Sequence, residues 1–161
     1  MGDERLREER GGMTDTRYLV TVRRTIAASR QRLFDIVADP AQHPVIDGSD
    51  SVRALRDGAP ERLSLGATFA MDMHLAANYR IVNRVVEFEE PSRIAWRHFN
   101  GHIWRYEFSD VPGGTEVTEQ WDARGAHNRL ALWLLGFPRR NREGMTATLR
   151  RLDELATSAQ S

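Results

Sequence analysis

From Ala67 to Ala123 the sequence reads as an almost unbroken succession of strands, and this stretch constrains the fold more than any other. Ala67 to Leu75, Asn78 to Glu89, Arg93 to Phe99, His102 to Asp110 and Thr115 to Ala123 are rich in β-branched and aromatic residues. Turn residues punctuate the later junctions: Glu90-Pro91-Ser92, Asn100-Gly101 and Val111-Pro112-Gly113-Gly114. Connections this short join neighbours, so the stretch is expected to fold as an antiparallel meander.

The pleat then fixes which side chains share a face, because a one-residue slip in register exchanges the two faces. A two-residue loop at Asn100-Gly101 would set Trp96 opposite Arg105 and Arg97 opposite Trp104, mixing apolar and charged residues. A three-residue loop, Phe99-Asn100-Gly101 with Gly101 at positive φ, instead pairs Ile94 with Tyr106, Trp96 with Trp104 and His98 with His102. A four-residue loop from Val111 to Gly114 extends the layer by pairing Phe108 with Val117, Tyr106 with Glu119 and Trp104 with Trp121. Phe69, Met71, Met73 and Leu75 form a further inward row, while Asp72 and His74 fall on the outer face. Asn78 to Glu89 keeps no single alternation, which predicts a bulge within it.

A sheet face this apolar needs a cover. Met145, Leu149, Leu152 and Ala156 recur at helical spacing in the segment Asn128 to Thr157, which is interrupted at Gly136-Phe137-Pro138. Upstream, Tyr18 to Ala27 reads as a strand and Ser51 to Arg56 as an edge strand. Ser29 stands as the N-cap of a helix closed by Asp39 and Pro40, and a second short helix is expected from Pro40 to Pro44. Met1 to Thr16, charged and glycine-containing, reads as a disordered tail ahead of one domain over residues 17–158. It lacks the apolar core of a signal peptide, and no stretch approaches the ~20 apolar residues of a spanning helix, so a cytoplasmic chain without stable membrane insertion is expected.

Composition removes whole classes of chemistry. All 23 basic residues are arginine and there is no cysteine. Lysine Schiff bases, thiol nucleophiles, thiolate metal sites and disulfides are therefore excluded for this sequence. The 23 acidic residues balance the 23 basic ones, leaving no overall field toward nucleic acid, and none is expected as a partner. The arginines between Arg139 and Arg151 alternate with Glu143 on a solvated helix face. His98 and His102 would be cross-strand neighbours at the rim of a hairpin, too few ligands for a metal centre, so neither metal nor other cofactor is expected. His43, between prolines, reads as a loop residue, and His127 as a residue that helps start the last helix.

The order of these elements resembles the SRPBCC superfamily, which includes START lipid-transfer domains, birch-pollen-allergen-like proteins and polyketide cyclase/dehydrase-like proteins. The likeness is carried by Ala28 to Pro40, Val86 to Trp96 and Gly113 to Thr118, and it spans about residues 17 to 158. The resemblance implies an α+β helix-grip fold: a curved seven-stranded antiparallel sheet wrapped around a long C-terminal helix, with two short helices after the first strand. It also implies a cavity for a small hydrophobic molecule such as a lipid, isoprenoid or polyketide, but no universal catalytic motif.

On that frame the residues expected to line the cavity are Phe69, Met71, Met73, Trp96, His98, Trp104, Tyr106, Phe108, Glu119 and Trp121 from the sheet. Trp133 and Phe137 are added from the apolar run Leu130 to Phe137, which would form the mouth, with Gly136 and Pro138 as a kink, or else a contact for a second copy in a homodimer. Glu119 beside Tyr106 is the pointed polar pair, because apolar cores rarely admit a carboxylate without a partner. It would anchor a ligand hydroxyl, or serve with Tyr106 as the acid/base pair of a cyclase or dehydratase. Binding or transport of the ligand is the first reading, such an enzyme the second, and a co-chaperone-like interaction module the third.

Overall fold

The structure, a computed structural model, describes residues 17–158, so the expected tail from Met1 to Thr16 lies outside the described residues. Strand β1 (Leu19–Ile26) leads into helix α1 (Arg30–Ala38), a single 3-10 turn (Pro40–Gln42) and the short helix α2 (His43–Ile46). Six strands follow: β2 (Val52–Leu55), β3 (Thr68–Leu75), β4 (Ala77–Glu89), β5 (Arg93–His98), β6 (Ile103–Val111) and β7 (Gly114–Asp122). Helices α3 (Arg129–Leu134) and α4 (Phe137–Ser158) complete the chain. The sheet has seven strands in the order β1-β7-β6-β5-β4-β3-β2, and every pairing is antiparallel. This is the helix-grip fold: a curled half-barrel sheet closed over a long C-terminal helix.

Local chemistry sets the elements as the sequence indicates. The Ser29 side chain accepts from the Arg32 backbone N–H at 3.2 Å, capping α1. Asp39 ends α1 and caps the 3-10 turn by accepting from the Ala41 N–H at 2.9 Å, with Pro40 at the first position. Gly136 separates α3 from α4 at φ 78°, a backbone state that a β-carbon disfavours, and Pro138 starts the new helix where its missing N–H costs nothing. No helix among the described residues is long and apolar enough to cross a membrane.

Both hairpins adopt the register that the face argument demands. Ile94 opposes Tyr106 and Trp96 opposes Trp104; beyond them Phe108 opposes Val117, Tyr106 opposes Glu119 and Trp104 opposes Trp121. Gly101 takes φ 102° and the His98 N–H donates to the His102 carbonyl at 2.9 Å, closing the Phe99-Asn100-Gly101 loop. On β4 the pairing with β5 shifts between Val85 and Glu87, so Val86 is an extra residue. Ile81, Asn83 and Val85 point inward before it and Phe88 after it, which is why no single alternation fits that strand.

The concave face divides into two ends. At one, Phe34 of α1 meets Phe88 edge-on at 5.3 Å and Phe108 at 5.9 Å, and Leu33, Val37, Ile94, Val117, Leu149, Leu152 and Ala156 close around them. That end is solid. Toward the other, the loop after α2 rests on α4: a β-carbon on Gly48 would lie 2.4 Å from the Thr148 backbone nitrogen, so backbone packs on backbone there. The Gly48 N–H donates to Thr148 Oγ1 at 2.9 Å, and the Arg151 guanidinium donates to the Asp47 carbonyl and, at 2.9 Å, to the Asp50 carboxylate. Behind this wall the interior stays open.

Candidate ligand-binding site

The open end holds a cavity of about 450 Å³, within the range of small-molecule sites. The sheet contributes Phe69, Met71, Met73, Trp96, Trp104, Tyr106 and Trp121, the last of them almost wholly buried. Each tryptophan removes roughly 150–250 Å² from water, so these side chains anchor the wall as well as line it. Leu132 and Phe137 come from α3 and α4, with Gly144, Met145 and Thr148 from one face of α4. Phe99, Tyr79, Leu135 and Arg140 are exposed members of the lining and mark where the cavity opens.

Two expected lining residues lie elsewhere. Phe108 shares the inward face but sits two residues farther along β6 than Tyr106, inside the solid end against Phe34. Trp133 turns away from the cavity and takes the Arg17 guanidinium 5.7 Å over its ring, because the inward position on α3 belongs to the buried Leu132. The other expected residues, His98 and Glu119 included, are brought together here.

Glu119 is the chemical centre of the pocket. It is 2% exposed, and the Tyr106 hydroxyl donates to its Oε1 at 2.8 Å while Oε2 has no hydrogen-bond partner among the described residues. Burial pushes its carboxyl up to about 8, with the nearby Asp47 charge adding to the rise and the Tyr106 hydrogen bond opposing it. The group is therefore mostly neutral at pH 7. Burial and the adjacent Glu119 also push the Tyr106 phenol upward, so it remains a donor.

The histidines differ from the loop and rim positions expected of them. His98 and His102 stack at 4.3 Å with their rings 12° apart and are largely buried. Desolvation pulls His98 down to about 4 and His102 to about 3, the latter also through its neighbour, which keeps both rings neutral. The Asn100 backbone N–H donates to His98 Nδ1 at 3.4 Å, which places the proton of the neutral ring on Nε2. His43 is no loop residue. It begins α2, is buried, stacks on Trp96 at 4.9 Å, and its Nε2 donates to the Val37 carbonyl at 2.9 Å, satisfying a carbonyl at the end of α1. Burial lowers its pKa as well.

Asn83 and Asp47 also line the pocket and escaped the sequence reading. The bulge hid the face of Asn83. Asp47 lies in a segment with no periodicity, where its carboxylate accepts from the Ser49 N–H at 3.1 Å and the Val52 N–H at 2.8 Å. Among the described residues no group of three or more histidine or acidic side chains is placed to hold a metal ion.

Comparison with known proteins agrees with this picture. Residues 17–157 match the family described as polyketide cyclase / dehydrase and lipid transport. An uncharacterized protein of Mycobacterium tuberculosis (strain ATCC 25618 / H37Rv), Rv0088, is 39% identical over 135 residues, covering 80% of this chain and 60% of that protein. The match thus spans about three fifths of the length of that relative. Among solved structures, protein Ms6760 from Mycobacterium smegmatis superposes with a TM-score of 0.69 at 22% identity, over 90% of this chain and 94% of its own. The AHSA1-like protein from Aeromonas hydrophila gives 0.65 at 19% identity, over 88% and 94%. At these identities the two structures attest the fold alone.

Proposed function

The chain belongs to the polyketide cyclase / dehydrase and lipid transport family, and from that premise we propose that it binds or carries a small hydrophobic molecule of lipid, isoprenoid or polyketide character within the cytoplasm. The observation that carries the reading is the cavity itself: about 450 Å³ walled by aromatic and methionine side chains, with a neutral acid at its heart. An interaction module would have no use for such a hollow. A carrier needs it, because apolar ligand surface removed from water supplies the affinity, at roughly 25 cal/mol per Å². Native mass spectrometry of freshly purified protein is expected to show an apolar molecule retained with the chain. Titration with lipid extracts is expected to change tryptophan fluorescence, since Trp96, Trp104 and Trp121 line the site. A ligand-free spectrum together with flat titrations across apolar compounds would reject the carrier reading.

One observation favours a second reading, a cyclase or dehydratase. A carboxyl brought to about 8 beside a donor phenol lies close to neutrality, where general acid/base groups work best. In that case Glu119→Gln, which keeps the shape and loses the proton transfer, abolishes turnover of the bound molecule while leaving its retention largely intact. Equal conversion by both forms would remove Glu119 from the chemistry, and conversion by neither would leave binding as the sole role.

A further inference from the structure

The polar atoms of the cavity are not scattered; sheet register collects them into two stations. Asn83 opposes His98 across β4 and β5, and His98 stacks on His102 across the next hairpin. At this first station the side-chain oxygens of Asn83 and Asn100 and Nδ1 of His102 are buried without hydrogen-bond partners among the described residues. The second station is Glu119, whose Oε2 is likewise buried and unpartnered while Oε1 is held by Tyr106. His102, just ahead of β6, and Tyr106 within it are four residues apart, which is about 13 Å at the rise of an extended chain. Between the stations runs the row Trp96, Trp104 and Trp121, cross-strand neighbours that offer no acceptor.

Buried polar atoms without partners are rare in folded proteins, and four of them on one cavity wall call for a ligand that completes them. An amide oxygen needs a donor, while Nδ1 of His102 accepts or donates according to the tautomer of its ring. A carboxyl already accepting from Tyr106 has its second oxygen free to donate or to accept. A hydroxyl, with one donor and two acceptor lone pairs, meets one amide oxygen together with the His102 nitrogen in its Nδ1-protonated tautomer, and serves Glu119 Oε2 in either sense. Negative charge is unwelcome: Asp47 borders the cavity, and among the described residues the one arginine in its lining, Arg140, stands exposed at the opening.

Resting on the carrier reading above, the geometry points to an elongated, uncharged ligand with a hydroxyl-type group at each end and an apolar body lying across the three tryptophans. One end is held by Asn83, Asn100 and His102, the other by Glu119. Fatty-acid-like anions are rejected.

The test uses the whole chain and tryptophan fluorescence, titrated with linear diols from hexanediol to tetradecanediol bearing hydroxyls at both ends, with the matching single-ended alcohols, and with decanoate. Diol affinity is expected to peak near decanediol, whose extended hydroxyl spacing matches the stations, and to exceed that of decanol by about tenfold, the worth of one buried hydrogen bond. Decanoate is expected to bind more weakly than either. Asn83→Leu and Glu119→Leu should each reduce decanediol to the affinity of decanol. Should either variant fail to fold, the comparison of diol with alcohol on the unaltered chain still decides. Diols and alcohols rising in parallel with chain length, or decanoate matching decanediol, would overturn the two-station ligand and leave the carrier reading intact. Failure of every compound to bind would remove both.

Discussion

The two ends of the concave face are made from the same strands and the same long helix, yet one is packed solid and the other is hollow. Phe34 accounts for the first. It reaches from α1 to fill the space between Phe88, Phe108 and the Leu149-Leu152 stretch of α4. At the second end the rings that the helices deliver, His43 and Phe137, line the space without filling it, the 47–52 loop touches α4 through Gly48 and Gly144, and the sheet presents flat indoles. Apolar character is thus no guide to which part of such a face is core and which is site. What distinguishes them is whether an opposing element delivers bulk, and where unpartnered polar atoms are left behind.

The largest effect that should separate the ends is thermodynamic. Phe34→Ala removes the plug of the solid end and is expected to cost about 3–5 kcal/mol in urea unfolding. Trp104→Leu, at the partly exposed edge of the hollow end, is expected to cost well under half as much and to weaken ligand binding instead. Comparable losses for the two would mean that the ends are not distinct.

Protonation sharpens the contrast at intermediate size. Glu119 holds its proton up to about 8 in the folded chain and near 4.5 when unfolded, so the native state binds more protons between those values and stability falls as pH rises through them. His98 and His102, lowered to about 4 and 3, act in the opposite sense: their contribution is present above 6.5 and is lost as pH falls. Melting temperature should therefore decline from pH 6.5 to about pH 8 and then level, by the equivalent of about 2 kcal/mol. Glu119→Gln should flatten that alkaline limb and leave the acid limb in place. An unchanged alkaline limb would show that Glu119 is ionised and solvated in the native protein.

The smallest expected effect concerns the outer surface of α3. Leu130 and Leu134 are 56% and 68% exposed, and Leu134 touches neither end of the core. Leu134→Glu should shift stability by less than about 0.5 kcal/mol. If this face joins two copies of the chain, the same change should abolish a concentration-dependent dimer in sedimentation; a monomer at all concentrations before the substitution removes that role.

The sheet was readable from sequence because turn chemistry and the two-residue pleat together admit one register that keeps Trp96, Trp104, Tyr106 and Glu119 on a common side. Depth along that side was not. Nothing in the alternation tells Phe108 from Tyr106, since what separates them is the arrival of Phe34 from a helix more than fifty residues upstream. Trp133 was misplaced for a related reason: a short helix apolar on every side does not announce which side faces in. His43 and Asp47 left no periodic signal at all, and the bulge at Val86 concealed Asn83 by shifting the alternation partway along its strand.

Gly48 carries a consequence for how this pocket could diversify. Where main chain lies directly on main chain there is no side chain to trim, so that wall cannot recede to admit a bulkier guest, and any larger residue at Gly48 would force loop and helix apart. Room is gained instead from lining side chains that can be exchanged, such as Met71 or Met73, whose unbranched thioethers tolerate replacement. Size preference in descendants of this chain should accordingly track those two sulfur-bearing positions.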